Sequence, residues 1–164
     1  MDISPLAPER FPDLPEIDGV TFAASAAGIK YKGRKDVMLA LLATGSTVAG
    51  VFTRSATRSA PVLDCQEKLG KDTSGPAAIL VNSGNSNAFT GKNGVASVAA
   101  LTDAVAAATG VQALRVFTAS TGVIGEPLPH DKIIATIDAL HSEQSAAGIG
   151  AAARAIMTTD TFPK

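Results

Sequence analysis

Apolar residues occur along this chain in short runs broken by glycine, proline and small polar clusters, and run length sets the elements they predict. Residues 1–18 hold Pro5, Pro8, Pro12 and Pro15. They read as an extended arm, because proline fixes φ and has no N–H for a helix or sheet. Val20 to Ala27 reads as a strand ending at Gly28. A polar turn, Tyr31 to Asp36, leads to the apolar run Val37 to Ala43, which is short for a helix. After Thr44-Gly-Ser46, the segment Thr47 to Thr53 is again β-rich. Three such runs at short spacing predict a β-meander.

The second half alternates differently. Ala77 to Val81 reads as a buried strand and Asn82 to Gly94 as a polar loop. Val95 to Thr109 has helical composition, with Gly110 as its stop. Leu114 to Thr118 is a further strand, followed by a loop from Ala119 to Pro129. Asp131 to Leu140 puts Ile133, Ile134, Ile137 and Leu140 on one face, the pattern of an amphipathic helix. Ser142 reads as the cap of a last helix running to about Met157, with Glu143 in its first turn near the positive helix end. A meander followed by βαβαα predicts an α+β, or mixed α/β, fold.

Composition narrows the classes. The 164 residues fit one domain or a large piece of one. With 46% apolar and 18% charged residues, the chain is too apolar for disorder. A net charge of −1 gives no footprint for nucleic acid or an acidic membrane. No run of about 18 apolar residues predicts a spanning helix. The acidic, proline-broken start is unlike a secretion signal. Cys65 is the single cysteine, which excludes an intrachain disulfide and fits a reducing, cytoplasmic setting. Aromatics are only 4%, so Ala, Val, Ile and Leu must build the core.

Chemistry concentrates in three places. Asn82 to Gly94 follows a strand and precedes a helix, where ligands gather. It is rich in side-chain amides and hydroxyls, but lacks the spacing of a phosphate-binding loop; a turn built on local Asx bonds is the plainer reading. Thr118-Ala-Ser-Thr-Gly-Val-Ile-Gly-Glu-Pro127 also follows a strand. Its Thr-Gly step holds the ingredients of an oxyanion hole, although a glycine-bearing turn accounts for the residue types as well. Met157-Thr-Thr-Asp-Thr161 sets hydroxyls and a carboxylate just past a helix, either as a substrate anchor or as a polar helix end.

Other signals carry little. Gly148-Ile-Gly-Ala-Ala-Ala153 has the letters of a dinucleotide motif, but no strand precedes it. His130 and His141 lack metal-ligand spacing, so no metal is expected. No Gly-x-Ser-x-Gly elbow accompanies either histidine. Cys65 has no adjacent positive partner to make it a reactive thiolate. The basic stretch Lys30-Tyr-Lys-Gly-Arg-Lys35 reads as a solvated loop.

Together the motifs are more specific than any one of them. The ordered set Ala27-Gly-Ile-Lys30, Gly33-Arg-Lys-Asp36, Gly50-Val-Phe-Thr53, Ala60-Pro-Val62, Asn82-Ser-Gly-Asn85, Ser120-Thr-Gly-Val-Ile-Gly125 and Met157-Thr-Thr-Asp-Thr161 resembles the ornithine acetyltransferase family, the bifunctional glutamate N-acetyltransferases of arginine biosynthesis. The resemblance runs from about residue 17 to the last residue and is to the N-terminal, or α, part of that enzyme.

The resemblance implies a four-layer α/β/β/α sandwich, with residues 19–164 as the α portion, completed by a separate β chain and assembled as a heterotetramer or higher. It implies a precursor that cuts itself at an Ala-Thr bond, freeing a threonine that begins the β chain and acts as nucleophile. That threonine takes the acetyl group from N2-acetylornithine and passes it to glutamate. No metal or cofactor is implied, with acetyl-CoA a co-substrate if the enzyme is bifunctional. Residue by residue, Thr121 and Gly122 match the oxyanion-hole pair. Thr158 is favoured as a substrate contact, with Thr159 left open by the repeated threonine. The Asn82 to Asn87 loop is a family signature without an assigned role. The cleavage segment, the substrate lysine and the nucleophile are absent from this chain, which is expected to be inactive without its β chain. The competing readings are a self-cleaving aminopeptidase or amidase of similar architecture, with water as acyl acceptor, and a non-catalytic amino-acid-binding domain.

Overall fold

A computed structural model describes residues 3–71 and 74–163. Met1 and Asp2 of the expected arm, and Lys164 at the other end, lie outside the described residues. Strands β1 (Val20–Ser25), β2 (Val37–Leu42), β3 (Ala77–Asn85) and β4 (Val116–Val123) form one sheet in the order β1-β2-β3-β4. The first two pairings are antiparallel and β3–β4 is parallel. Helices are α1 (Ala60–Lys68), α2 (Gly91–Thr109), α3 (His130–Ile134), α4 (Ile137–Ser142) and α5 (Ile149–Ala155). The α+β class expected from the alternation is the observed one.

The meander is real, but its third strand is β3, not Thr47 to Thr53. That segment forms no strand, and Val51 is 99% exposed. The reason is edge occupancy: β2 pairs with β1 along one edge and β3 along the other, so a hairpin returning from β2 has nowhere to bond. Helix α1, begun by Pro61 in its first turn, was not foreseen as an element.

Side-chain alternation divides the sheet. Ala23, Val37, Leu39, Ala78, Leu80 and Val116 share one face by register. They pack with Leu101 and Val105 of α2, Ile133 of α3, and Ile137 and Leu140 of α4 into the main core. Small Ala and Val in the strands allow this close seating, in keeping with the scarcity of aromatics. Helix α2 ends as expected at Gly110, whose φ of 75° supplies the left-handed cap.

The helix expected over Asp131 to Leu140 is two helices. The Thr136 N–H bonds to the Ile133 carbonyl, and the Thr136 hydroxyl takes the same oxygen at 2.7 Å. A β-branched hydroxyl residue thereby tightens the chain and breaks the α-ladder. The final helix is also shorter than expected: Ser142 closes α4, Ser145 caps a 3-10 turn over Ala146–Gly148 by accepting from the Ala147 N–H, and α5 follows from Gly148 without a side-chain cap. Ser145 also pairs with Phe22 at the β1 edge, which draws α5 against β1 and β2. Residues 3–18 form neither helix nor strand. This arm lies against the chain's other end, with Phe11 and Phe162 at 6.3 Å between ring centres and the Ser4 N–H bonded to the Thr161 hydroxyl at 3.2 Å.

Candidate functional site

The ends of the parallel pair β3–β4 carry the two loops that the sequence singled out. Both loops begin as strand: β3 runs on to Asn85 and β4 to Val123, so only part of each is irregular. The register slips at Gly84 and Asn85, with Asn85 facing both Thr121 and Val123. At this bulge the backbones approach closely. A Cβ on Gly122 would sit 2.3 Å from the Gly84 carbonyl carbon and 2.5 Å from the Asn85 nitrogen, and Gly122 has φ of +136°. Only glycine fits that conformation and that approach. Thr121 is half-buried and Gly122 exposed, so this step is presented at the surface where the carboxyl ends of parallel strands meet, a recurrent ligand position.

The amide-rich loop holds this bulge. The Asn82 Nδ2 donates to the Asn85 carbonyl at 2.9 Å, and the Ser120 hydroxyl donates to Asn82 Oδ1 at 2.6 Å. The Asn85 amide donates to the Glu126 carbonyl at 3.1 Å, and its oxygen accepts from the Asn87 N–H at 2.8 Å. Asn87 donates to the Gly94 carbonyl at 3.1 Å and accepts from Thr90. The Ser86 N–H and hydroxyl both bond to the Val123 carbonyl. Asn82, Asn85 and Asn87 are all buried. Their amides tie β3 to the Thr121–Pro127 segment and to the start of α2, which gives the Asn82 to Asn87 loop a structural role.

Thr158 and Thr159 lie beyond α5, at the same end of the sheet. Ser83 faces Thr121 in the β3–β4 register, and its hydroxyl donates to the Ala155 carbonyl at 2.7 Å. Ser83 is fully buried, so this bond fixes the α5 end beneath β3. The Thr158 N–H then bonds to the Asp160 carboxylate at 3.2 Å. Thr159 lines a cleft of about 490 Å3 between the arm and Thr161–Phe162. No hydrogen bond joins Thr121 or Gly122 to Thr158 or Thr159 among the described residues; Ser83 links them at one remove.

The basic turn exposes Lys30, Lys32 and Lys35, as a solvated loop should, and it also lies beside this candidate site. The Asp36 carboxylate, fully buried, accepts from the Ala27 and Ile29 N–H groups, each at 2.7 Å. The Lys132 ammonium bonds to the Gly28 carbonyl at 3.0 Å. These bonds seat Ile29 and Lys30 against Gly84, where an added Cβ would meet Lys30 Cβ at 3.1 Å. Arg34 donates to the Met157 carbonyl. The one signal for this placement was that Ala27–Lys30 and Gly33–Asp36 both belong to the ordered motif set.

The remaining candidates lie elsewhere. Cys65 is buried, and its Sγ donates to the Thr118 carbonyl at 3.4 Å. Burial pushes its thiol up, away from thiolate chemistry. His130 Nδ1 meets the Ser97 hydroxyl at 3.0 Å. Gly148 packs on the Phe22 carbonyl. A cleft of about 720 Å3 lies between α1 and the start of α2 and includes Leu63, Phe89 and Val95. It contains none of the predicted site residues.

An α+β chain with two glycine-hinged loops at the ends of parallel strands has close structural counterparts. The crystal structure of ornithine acetyltransferase complexed with ornithine from Mycobacterium tuberculosis matches with a TM-score of 0.81 and 40% identity, over 90% of this chain and 79% of that one. The arginine biosynthesis bifunctional protein argJ from Bacillus halodurans matches with a TM-score of 0.79 and 33% identity, over 88% and 75%. The fold class is therefore that of the ornithine acetyltransferases, which are acyltransferases. The ArgJ family model matches residues 21–164, and the chain belongs to the ArgJ family. Two curated relatives, both arginine biosynthesis bifunctional protein ArgJ, are 65% identical (Ruegeria pomeroyi) and 55% identical (Nitrobacter winogradskyi) across 99% of this chain. The chain spans 40% and 39% of their respective lengths.

Proposed function

We propose that this chain is the α part of an acetyltransferase that moves the acetyl group of N2-acetylornithine to glutamate through an acetyl-threonine on a separate β chain. The observation that carries the reading is the Gly84–Gly122 bulge, which puts the Thr121-Gly122 step at the surface where β3 and β4 end. Thr121 and Gly122 supply the oxyanion hole, steadying the negative charge that develops on the acetyl oxygen. Thr158, or Thr159, contacts the amino-acid part of the substrate. The nucleophile begins the β chain and uses its own α-amine, with an ordinary pKa near 8, as base. Neither metal nor cofactor is needed from this chain; acetyl-CoA enters as a co-substrate if the enzyme is bifunctional, the word its relatives carry.

Chain lengths support self-cleavage. This chain spans 40% of the Ruegeria relative but 79% and 75% of the matched crystal chains, the relation expected when a long precursor yields a shorter α chain. The sheet face bearing Met38, Ile79, Val81 and Ala119 is only partly covered. The second sheet of a four-layer sandwich, from the β chain, rests there, and αβ pairs assemble into a heterotetramer in the cytoplasm. No helix among the described residues is long and apolar enough to cross a membrane.

The test is an intact-mass spectrum of the whole precursor product under denaturing conditions, before and after N2-acetylornithine. Two chains, one starting with threonine and gaining one acetyl mass, are expected, with the label leaving on addition of glutamate. Loss of the label to water without glutamate identifies the amidase instead. An unlabelled single chain overturns the reading in favour of a binding domain.

A further inference from the structure

Charge is unevenly placed on this chain. Lys30, Lys32 and Lys35 are exposed and Arg34 is half-buried, all within one turn. The Lys30 ammonium and the Arg34 guanidinium both stand over the Tyr31 ring, 5.5 and 5.0 Å from its centre. Arg154, from α5, joins Arg34 and Lys35 around a cleft of about 280 Å3 closed by Ala151. None of these cations forms an ion pair among the described residues. The two nearby carboxylates are committed: Asp36 to the Ala27 and Ile29 amides, Asp160 to the Thr158 amide. In a chain of net charge −1, an uncompensated cationic wall of this kind focuses anions.

The wall borders both halves of the site. Lys30 packs against Gly84, the residue whose backbone touches Gly122, and Arg34 holds the carbonyl immediately before Thr158. We propose that Lys30 binds the α-carboxylate of the amino-acid substrate, with Arg34 positioning Thr158 and the neighbouring cations drawing the anion in. This rests on the acetyl-transfer reading above, in which donor and acceptor are both α-amino acids sharing one site. Tyr31 limits the swing of Lys30 by a cation–π contact, which reduces the rotamer entropy lost when the carboxylate binds.

The test is a two-way cycle on the whole processed enzyme. Wild type and Lys30→Gln are each assayed with N2-acetylornithine and with its carboxamide, glutamate being saturating. A charge-assisted bond of about 1.5–3 kcal/mol corresponds to roughly 10–150-fold in KM. Lys30→Gln is expected to raise KM for the acid by at least about tenfold with kcat kept. The carboxamide should cost wild type a similar factor and the variant almost nothing. Lys30→Arg should recover most of the loss, and the melting temperature should not move, because Lys30 is exposed. Additive effects of variant and carboxamide overturn the assignment, as does a KM change seen only with acetyl-CoA as donor, which would make the wall a phosphate contact. Wild type that fails to turn over N2-acetylornithine at all refutes the acetyl-transfer reading itself, a result distinct from either.

Discussion

Thr121 and Gly122 make different probes of the same loop, and their contrast tests its role. A Cβ on Gly122 would lie 2.3 Å from the Gly84 carbonyl carbon, 2.5 Å from the Asn85 nitrogen and 2.7 Å from the Gly84 oxygen. All three are backbone atoms, in a bulge whose Asn85 carbonyl is bound by the Asn82 amide, so no side chain can swing aside. Gly122→Ala should therefore cost about 1–3 kcal/mol in overpacking and about 1–3 more for a side chain at φ of +136°. Its loss of activity would be entangled with damage to the β3–β4 bulge. Thr121→Val is the cleaner change: it keeps shape and deletes one hydroxyl on a half-buried residue. If that hydroxyl faces the oxyanion, kcat should fall by roughly 100- to 1000-fold, the loss of one such donor. Unfolding free energy should change by less than about 0.5 kcal/mol. The assay is steady-state acetyl transfer to glutamate by the processed enzyme, paired with denaturant melts of the same samples. Thr121→Val with wild-type kcat would falsify the hydroxyl's part in the oxyanion hole.

Three further changes separate structure from chemistry. Asp36→Ala removes the acceptor for two amides at 2.7 Å in a fully buried place. It should destabilise by about 3–5 kcal/mol in urea unfolding, with Asp36→Asn milder; a loss under about 1 kcal/mol would mean the loop re-satisfies itself. Phe89 holds φ of 57° and is 68% exposed, so Phe89→Asn should stabilise by about 0.5–1 kcal/mol. A destabilisation there would show that the ring is covered in the assembled enzyme. Burial raises the Cys65 thiol above its ordinary value of 9.0, so the folded state holds that proton more tightly than the unfolded one. Stability from this group is intact below about pH 9 and declines as pH rises toward the folded value. Cys65→Ala should lose less stability between pH 8 and 10.5 (roughly these bounds) than wild type; parallel pH profiles would contradict the burial argument.

The sequence was informative where local chemistry decides structure. Gly110 stopped α2 because only a left-handed residue closes that helix end, and the apolar runs became β1, β2 and the first part of β3 where β-branched and aliphatic residues fit a buried pleat. It was misleading where neighbours decide. Thr47 to Thr53 has strand composition, but β2 has no free edge to offer it. The Asp131–Leu140 stripe is helical by period and still breaks, because one hydroxyl, that of Thr136, takes the Ile133 carbonyl. Of the candidate site, the Thr121-Gly122 step and the Thr158-Thr159 pair were visible as motifs. The Lys30–Arg34 turn was not, since its place beside Gly84 depends on a buried carboxylate, Asp36, folding the chain back.

The amide-rich loop shows why residue chemistry alone misdirects. Asn and Ser side chains at a strand end look like ligands in waiting, yet here their hydrogen-bonding groups are spent inside the fold: Asn82 on Asn85 and Ser120, Asn85 on Glu126 and Asn87, Ser86 on Val123. What that network leaves at the surface is a backbone step, Thr121-Gly122, at a fixed place and orientation. An oxyanion hole needs donors that do not reorganise as charge develops, so rigid support matters more than the number of donors. A loop with buried, saturated amides supplies that rigidity, which is what the proposed role of Thr121 and Gly122 in acetyl transfer requires of its support. On the proposed oxyanion role, Asn85→Ala has a specific signature: kcat should fall while KM for the donor holds, because the residue braces the Thr121-Gly122 step from inside the fold. A rise in KM with kcat unchanged would instead make Asn85 a substrate contact.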